Sequence, residues 1–255
     1  MNCEDIYFRN YFLNNPLSED ERQFPIAYAK VVYKDYRFLE AELATNYHPQ
    51  NWYCFAVDSK ADDSHGMGKA HLSCFKELIK KERKWEYLVT LQNHDIQIKT
   101  NEEMVQIFKW LDGACDAGYD FQSEAKRDRL DGLNKNFNWT FESLKIFKDA
   151  SLNKRFNEKG LPLKLSLASG NIQASLARPF VEFVVNKLDL TKMLEQLDNL
   201  SQKLFFNRKK KLNLREYAGD EFFLQTLLAS DDLKAPNAFT HKCIDKKINV
   251  PYVNR

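Results

Sequence analysis

An alternation of apolar strands and amphipathic helices over the first half of the chain most constrains the fold. Three runs rich in aromatic and β-branched residues are each followed by a segment with apolar residues at helical spacing. The predicted strands span residues 24–33, 51–60 and 85–95, and the predicted helices span residues 35–47, 68–84 and 101–114. The run from Trp52 to Val57 is apolar throughout, which is typical of a strand covered on both faces. The alternation therefore predicts a parallel sheet with helices on both faces.

The ends of these helices carry capping signals. Asp35 precedes the first helix, and Pro49 follows it as a stop. Either Thr100 or Asn101 precedes the third helix and is expected to cap it.

The middle of the chain lacks periodicity. Residues 114–160 are polar and predict loops with a surface helix. Order returns at residues 163–177, which predict a pair of short strands around Gly170. Residues 178–197 then predict one helix, since Pro179 is tolerated in a first helical turn.

One further helix is predicted within residues 217–230, and acidic residues stand at its start. Gly219 and Asp220 come just before it, and Glu221 falls in its first turn. The helix dipole favours the charged form of a carboxylate there. Such a carboxylate can take a proton from a sugar hydroxyl as that hydroxyl attacks an activated carbon, or it can serve stability alone. Asp220 is the competing candidate, although a residue in its position is more often a helix cap.

Charge and hydropathy exclude several classes of protein. The 255 residues are 44% hydrophobic, and 38 basic against 36 acidic residues leave a net charge of +2, so no nucleic-acid partner is expected. No run is long and apolar enough for a membrane span, and the first residues lack the pattern of a signal peptide. Taken as a complete product, the chain is expected to be cytosolic. Two glycosylation sequons, at Asn138 and Asn199, point instead to the secretory pathway, although such triplets also arise by chance.

Motifs for several common chemistries are missing. The sequence has no nucleophile elbow, phosphate loop or dinucleotide fingerprint. Its five cysteines form no closely spaced pair, its histidines are scattered, and no D-x-D motif follows a strand. We therefore expect neither a metal nor another cofactor. Asp58 and Asp95 lie at the ends of predicted strands, at the edge where such sheets bind ligands, and they are either ligand contacts or ordinary strand-end caps.

Four stretches in consistent order resemble the core-2/I-branching β-1,6-N-acetylglucosaminyltransferase family. The first is similar to the family's opening strand–helix–strand block with its PQNWYC turn, and the second ends in a D-x-x-x-K-T-N signature. The later two resemble blocks on the acceptor side. The four stretches are residues 24–60, 85–105, 169–185 and 219–228.

This resemblance implies a GT-A-like α/β fold, a UDP-sugar donor, an O-glycan acceptor, and inversion at the anomeric carbon without a metal. It assigns the catalytic base to Glu221 and a position near the nucleotide to Tyr87, and it keeps Asp58 and Asp95 as candidate nucleotide contacts. It also implies a disulfide between Cys54 and Cys74, and hence an oxidising Golgi or secretory lumen.

The chain also departs from the family pattern. The family has a further helix and strand after the position of Asp58, which help to hold uridine, and the comparison with the family pattern indicates that this piece is deleted near Asp63. Members also have an N-terminal membrane anchor, so membrane association is expected only through a segment that this chain lacks. The implied division is a stem remnant at residues 1–23, a single transferase-like domain at 24–245 and a shortened tail at 246–255. The alternative to an active transferase is an inactive relative that keeps the fold and binds glycan weakly.

Overall fold

The computed structural model describes residues 3–57, 66–119, 135–206 and 219–246. Within these ranges the chain forms one five-stranded sheet in the order β2-β1-β3-β5-β4. The strands are β1 (Ile26–Val32), β2 (Trp52–Val57), β3 (Tyr87–Leu91), β4 (Asp116–Ala117) and β5 (Ala174–Ala177). β1 runs parallel to β2 and β3, whereas β5 is antiparallel to β3 and to β4. The predicted α/β architecture with a mostly parallel sheet is confirmed.

Helices connect the strands and cover the sheet. The helices are α1 (Cys3–Arg9), α2 (Glu19–Gln23), α3 (Tyr36–Asn46), α4 (Met67–Ile79), α5 (Asn101–Leu111), α6 (Phe141–Leu144), α7 (Arg178–Lys187), α8 (Thr191–Phe206), α9 (Phe223–Ala229) and α10 (His241–Asp245). Thr100 caps α5 in a reciprocal capping box with Glu103, as predicted. Asp35 stands at the start of α3 in the left-handed region and makes no side-chain capping bond there, so only its position was predicted correctly.

The two faces of the sheet are covered by different helices. Cys54 of β2 is bonded to Cys74 of α4, and its register partner on β1 is Ala29, a small residue that lets α4 approach closely. On the other face, Tyr87 of β3 stacks on Phe108 of α5 with ring centroids 4.5 Å apart. Helices therefore lie on both faces of the sheet, as the alternation of strands and helices predicted.

On the face of β1 opposite to Ala29, a buried lysine contacts α3 and the loop after β3. Lys30 is only 2% exposed, although it lies in the central strand. Its Nζ lies 3.1 Å from the carboxylate of Glu42 on α3 and donates to the backbone oxygen of Asp95 at 2.9 Å. The charge is thus paired, which is the usual condition for burying it. The contact fixes the loop after β3 against α3.

Two predicted elements of the second half were wrong in detail. The first part of residues 163–177 is not a regular strand, because its backbone makes hydrogen bonds to several separate partners. For example, the N–H of Ala168 donates to the hydroxyl of Thr226. The single helix predicted over residues 178–197 is two helices. It breaks at Leu188, which pairs as an antiparallel bridge with Phe147. Both errors come from contacts with distant parts of the chain.

The middle region contributes to the interior, contrary to its prediction as surface. Trp139, Phe141, Ile146 and Phe147 are buried, and they belong to the same hydrophobic core as the sheet. Their spacing follows no helix or strand period, because short turns rather than long elements carry them. In the described parts of this region, α6 buries Phe141 and Leu144, and Asp116–Ala117 form strand β4, so the prediction of loops with a surface helix was wrong in both respects.

The residues before β1 pack on the sheet's helices. The guanidinium of Arg9 on α1 makes two hydrogen bonds to the carboxylate of Glu40 on α3, at 3.0 and 2.9 Å. Asn10 donates to the same carboxylate at 2.7 Å. The assignment of residues 1–23 to a stem stays a prediction. None of the helices in the described ranges is long and apolar enough to cross a membrane.

The disulfide implied by the resemblance is present. Cys54 and Cys74 are bonded, with their Cα atoms 5.6 Å apart. Cys3, Cys115 and Cys243 are free, and Cys115 is buried. The bond fastens the edge strand β2 to the helix that follows it.

We expect mass spectrometry of oxidised material to recover Cys54 and Cys74 in one cross-linked peptide pair. After denaturation and alkylation without reduction, the three free cysteines should be alkylated and serve as internal controls. The bond closes a loop of sequence separation 20, and a loop of that size stabilises the folded state by about 3 kcal/mol. Alkylation of both Cys54 and Cys74 in unreduced material would contradict the expectation.

Candidate active site

The carboxyl ends of the parallel strands form the edge at which ligands bind in sheets of this kind. β1 lies between β2 and β3, so α3 and α4 leave on opposite faces and open a crevice at the end of β1. Asn93 bridges this crevice. Its Oδ1 accepts the backbone N–H groups of Tyr33 and Lys34 at 2.7 and 3.1 Å. Two clefts open at this edge of the sheet.

The first cleft, which we call the apolar cleft, lies at the ends of β1 and β2 and has a volume of about 440 Å³. Its lining residues are Ile6, Val32, Tyr33, Lys34, Asp35, Tyr36, Leu39, Glu40, Leu43, Phe55 and Val57. The walls are mostly aliphatic and aromatic, which suits a flat, weakly polar ring. Asp58 follows Val57 directly in the chain, but it lies outside the described residues. Its role as a nucleotide contact stays a prediction.

The second cleft, which we call the α5 cleft, lies between the end of β3 and α5 and has a volume of about 280 Å³. Asp95 lines it together with Tyr28, Gln97 and Gln173. The Oδ2 atom of Asp95 accepts the backbone N–H of Gln92 at 2.7 Å and the side-chain amide of Gln173 at 2.9 Å. Asp95 thus shapes its own loop, and its contact with a ligand stays a prediction.

Tyr87 lies away from both clefts. It is 3% exposed, and its hydroxyl donates to the backbone oxygen of Ala114 at 3.0 Å. Burial raises the pKa of the Tyr87 hydroxyl to about 12. The structure places this residue in the core between the sheet and α5, and the nucleotide role implied by the resemblance is untested.

Glu221 lies in a short turn and not in the first turn of an α-helix. The turn is a single 3-10 segment, Gly219–Phe222, and α9 begins after it. The backbone oxygen of Glu221 accepts the N–H of Gly170 at 3.0 Å. Glu221 is thus an acid at the start of the helical segment, as predicted, but it lies in the 3-10 turn two residues before α9 begins. The change matters because the turn is held by contacts outside α9.

Asp220 caps a different helix from the one expected. It is buried, and its two carboxylate oxygens accept the backbone N–H groups of Gly68 at 2.7 Å and of Met67 at 3.2 Å. These are the first residues of α4, whose N-cap residue, Gly66, makes no side-chain capping bond. Burial raises the pKa of the Asp220 carboxyl, and the two N–H groups act in the opposite direction.

Residues 170–173 connect the turn of Glu221 to the loop of Asp95. Gly170 binds the turn, and the side-chain amide of Gln225 on α9 donates to the backbone oxygen of Asn171. Gln173 then binds Asp95 at 2.9 Å. The structure thus joins the two predicted acids through one loop. Sequence reasoning missed Gln173 and Gln225, although a glutamine inside the apolar run FFLQTLL was a usable signal.

The described residues contain no cluster of three or more His, Cys, Asp and Glu side chains that could hold a metal ion. The expectation that the reaction needs no metal remains untested.

The two sequons lie in different settings. Asn138 is exposed in a turn, and its Oδ1 accepts both the N–H of Thr140 at 3.0 Å and its hydroxyl at 2.8 Å. Asn199 is exposed inside α8, so its sequon is helical in the folded chain.

We expect Asn138 to carry a glycan when the chain is made in the secretory pathway, because it is exposed in a turn that a transferase can reach. Enzymatic deglycosylation should then increase gel mobility, and the Asn138→Gln variant should migrate like the deglycosylated parent. An Asn199→Gln variant is the matched control and should retain the shift. Unchanged mobility of secreted parent protein on deglycosylation would count against the site.

Comparison with known proteins decides the family. The family model described as Core-2/I-Branching enzyme matches residues 26–65 and 61–251. The chain belongs to the core-2/I-branching enzyme family. The two matched parts meet at residues 61–65, close to Asp63, where the sequence indicated a deleted segment.

Several members of this family are similar to the chain over most of its length. A human β-1,3-galactosyl-O-glycosyl-glycoprotein β-1,6-N-acetylglucosaminyltransferase is 28% identical over 76% of this chain and 49% of the relative. The rat β-1,3-galactosyl-O-glycosyl-glycoprotein β-1,6-N-acetylglucosaminyltransferase 3 is 25% identical over 76% of this chain and 48% of the relative. The enzyme of bovine herpesvirus 4 is 28% identical over 72% and 46%. The chain spans about half the length of the curated relatives it matches.

Proposed function

We propose that this core-2/I-branching family member transfers N-acetylglucosamine from a UDP-sugar to a hydroxyl of an O-glycan, with inversion and without a metal. The observation that carries the proposal is the family match over residues 26–251, which includes every described candidate site residue. The printed names of the relatives supply the sugar, the β-1,6 linkage and the O-glycan acceptor.

The apolar cleft is the proposed seat of the uracil ring. Tyr36 and Phe55 offer aromatic faces there, and a base stacks readily on such faces. Lys34 lines the same cleft and would supply positive charge to the diphosphate. Asp58, which comes next after Val57, is the proposed partner of a sugar hydroxyl or a base N–H.

Glu221 is the proposed general base. Its carboxylate takes the proton of the acceptor hydroxyl while the hydroxyl oxygen forms a bond to the anomeric carbon. The bond from that carbon to the diphosphate breaks, and UDP leaves with the electron pair from the opposite side, which inverts the configuration. Contacts at Gly170 and Asp220 support this assignment, because they fix the turn that carries the base.

The secretory lumen is the proposed compartment. The bond between Cys54 and Cys74 is of a kind that persists in oxidising compartments, and the exposed sequon at Asn138 is of use only there.

We expect calorimetry to detect UDP binding that is unchanged by EDTA. The affinity should be about tenfold or more weaker than that of a full-length relative, since one lost charged hydrogen bond to phosphate is enough for such a change. The human relative measured in the same buffer is the control. Equal affinity in both proteins would show that the segment deleted near Asp63 contributes nothing to the nucleotide site, and a need for a divalent ion would refute the metal-free mechanism.

The second candidate function is glycan binding by an inactive relative. The junction of the two family matches at residues 61–65 favours it, because the resemblance implies that a uridine-holding segment of the family would fall there. Glycan binding without UDP binding in the same titrations would support this alternative.

A further inference from the structure

The helix α4 receives its N-terminal cap from a distant part of the chain. The first N–H groups of a helix have no partner within it and need an outside acceptor. The N-cap residue of α4, Gly66, has no side chain to provide one. Asp220 takes that role from 152 residues away, with 2.7 Å to the N–H of Gly68 and 3.2 Å to that of Met67.

The contact is built closely on both sides. A Cβ atom added to Gly68 would lie 3.1 Å from Oδ1 of Asp220, so the carboxylate reaches the backbone because residue 68 is a glycine. A Cβ atom added to Gly219 would lie 2.4 Å from the backbone oxygen of Leu197 on α8. The turn Gly219–Phe222 is thus held against α4 on one side and α8 on the other.

Asp220 is not placed to act on a substrate itself. It is 5% exposed, and both of its oxygens already accept backbone N–H groups. Glu221, the next residue, is only partly buried and points from the same turn. Asp220 is therefore the more deeply buried of the two acids, although the Oε2 atom of Glu221 is also shielded from solvent.

We propose that Asp220 is a positioning residue that holds the Glu221 turn on the N-terminus of α4. The inference rests on the proposed function only where it calls Glu221 the base. The mechanical part of the inference, that Asp220 holds the turn in place, does not depend on the function. Removal of the cap should free the turn and break the hydrogen bond from the N–H of Gly170 to the backbone oxygen of Glu221. A base that moves loses rate because its approach to the acceptor hydroxyl is no longer fixed.

Amide hydrogen exchange tests the mechanical part without any activity. The variants are Asp220→Ala and Asp220→Asn, and the matched control is Thr100→Ala, which removes the cap of α5 instead. In Asp220→Ala, exchange at Gly68 and at Gly170 should rise about tenfold or more, as expected for a lost hydrogen bond at a buried site. Asp220→Asn keeps one acceptor oxygen and should show a smaller rise at both positions. Thr100→Ala should leave Gly170 unchanged.

Unchanged exchange at Gly170 in Asp220→Ala, or an equal rise in the Thr100→Ala control, would overturn the inference. If Asp220→Ala does not fold, the Asn variant alone decides it. In preparations that transfer sugar, Asp220→Asn should lower kcat and leave KM for the donor within about twofold, because the turn and not the nucleotide cleft is disturbed. An inactive parent would refute the proposed function and leave the exchange result to decide the positioning role.

Discussion

Replacing Glu221 by glutamine is expected to lower kcat by about 10²–10⁴, which is the usual contribution of a general base. The two side chains are nearly isosteric, so the change removes the proton acceptor and keeps the shape of the turn. The hydrogen bond of the Glu221 backbone and the contacts of the Asp220 side chain help to hold the turn, and the change removes neither. The variant should therefore unfold at the same denaturant concentration as the parent.

The measurement is steady-state transfer from a UDP-sugar, with urea unfolding of the same preparations. Glu195→Gln is a matched control, because Glu195 is exposed on the neighbouring helix α8 and should leave kcat unchanged. Transfer by Glu221→Gln at the parental rate would rule out Glu221 as the base.

Replacing Gly170 by alanine is expected to destabilise the fold by about 3 kcal/mol or more, because the backbone must move to accept the new atom. The added Cβ atom would lie 1.7 Å from the backbone oxygen of Gly118 and 2.7 Å from its carbon. Neither atom belongs to a side chain that could turn away. Gly170 also donates to Glu221, so the same change should disturb the proposed base.

Urea unfolding measures this effect, and Gly160→Ala is the control. Gly160 has nothing within 4 Å of its added Cβ atom, but its φ of +72° lies in the left-handed region. Its replacement should cost only the conformational penalty of about 1–2 kcal/mol. An equal decrease in the free energy of unfolding for the two variants would show that the close approach of Gly118 to Gly170 does not contribute to the effect.

The first half of the fold could be predicted because local patterns decide it. β1, β2 and β3 are runs of apolar residues, and α3, α4 and α5 have regular helical spacing between them, so each element is visible without its partners. The second half depends on contacts far apart in sequence. Leu188, where the helix breaks, pairs with Phe147, and neither glycine nor proline marks the break, although Asp189 accepts the N–H of Thr191 at the start of α8.

The candidate site divides in the same way. Glu221 and the bond between Cys54 and Cys74 came from the resemblance to a family, and the structure confirms the bond. The true partner of Asp220 could not be predicted, because a cap supplied from 152 residues away leaves no trace in the sequence around α4. The preference of aspartate for the position before a helix assigned Asp220 as a cap of α9, whereas in the folded chain it caps α4.

Characterisation of the transfer product tests the central claim most directly. The chain is incubated with UDP-N-acetylglucosamine and a core-1 O-glycan, Gal-β-1,3-GalNAc, in EDTA, and the product is isolated for nuclear magnetic resonance. The account predicts a new N-acetylglucosamine in β-1,6 linkage, formed by the parent and not by Glu221→Gln. An α-linked product, or transfer that requires a divalent ion, would contradict it, as would the absence of any product from protein whose fold and disulfide are intact.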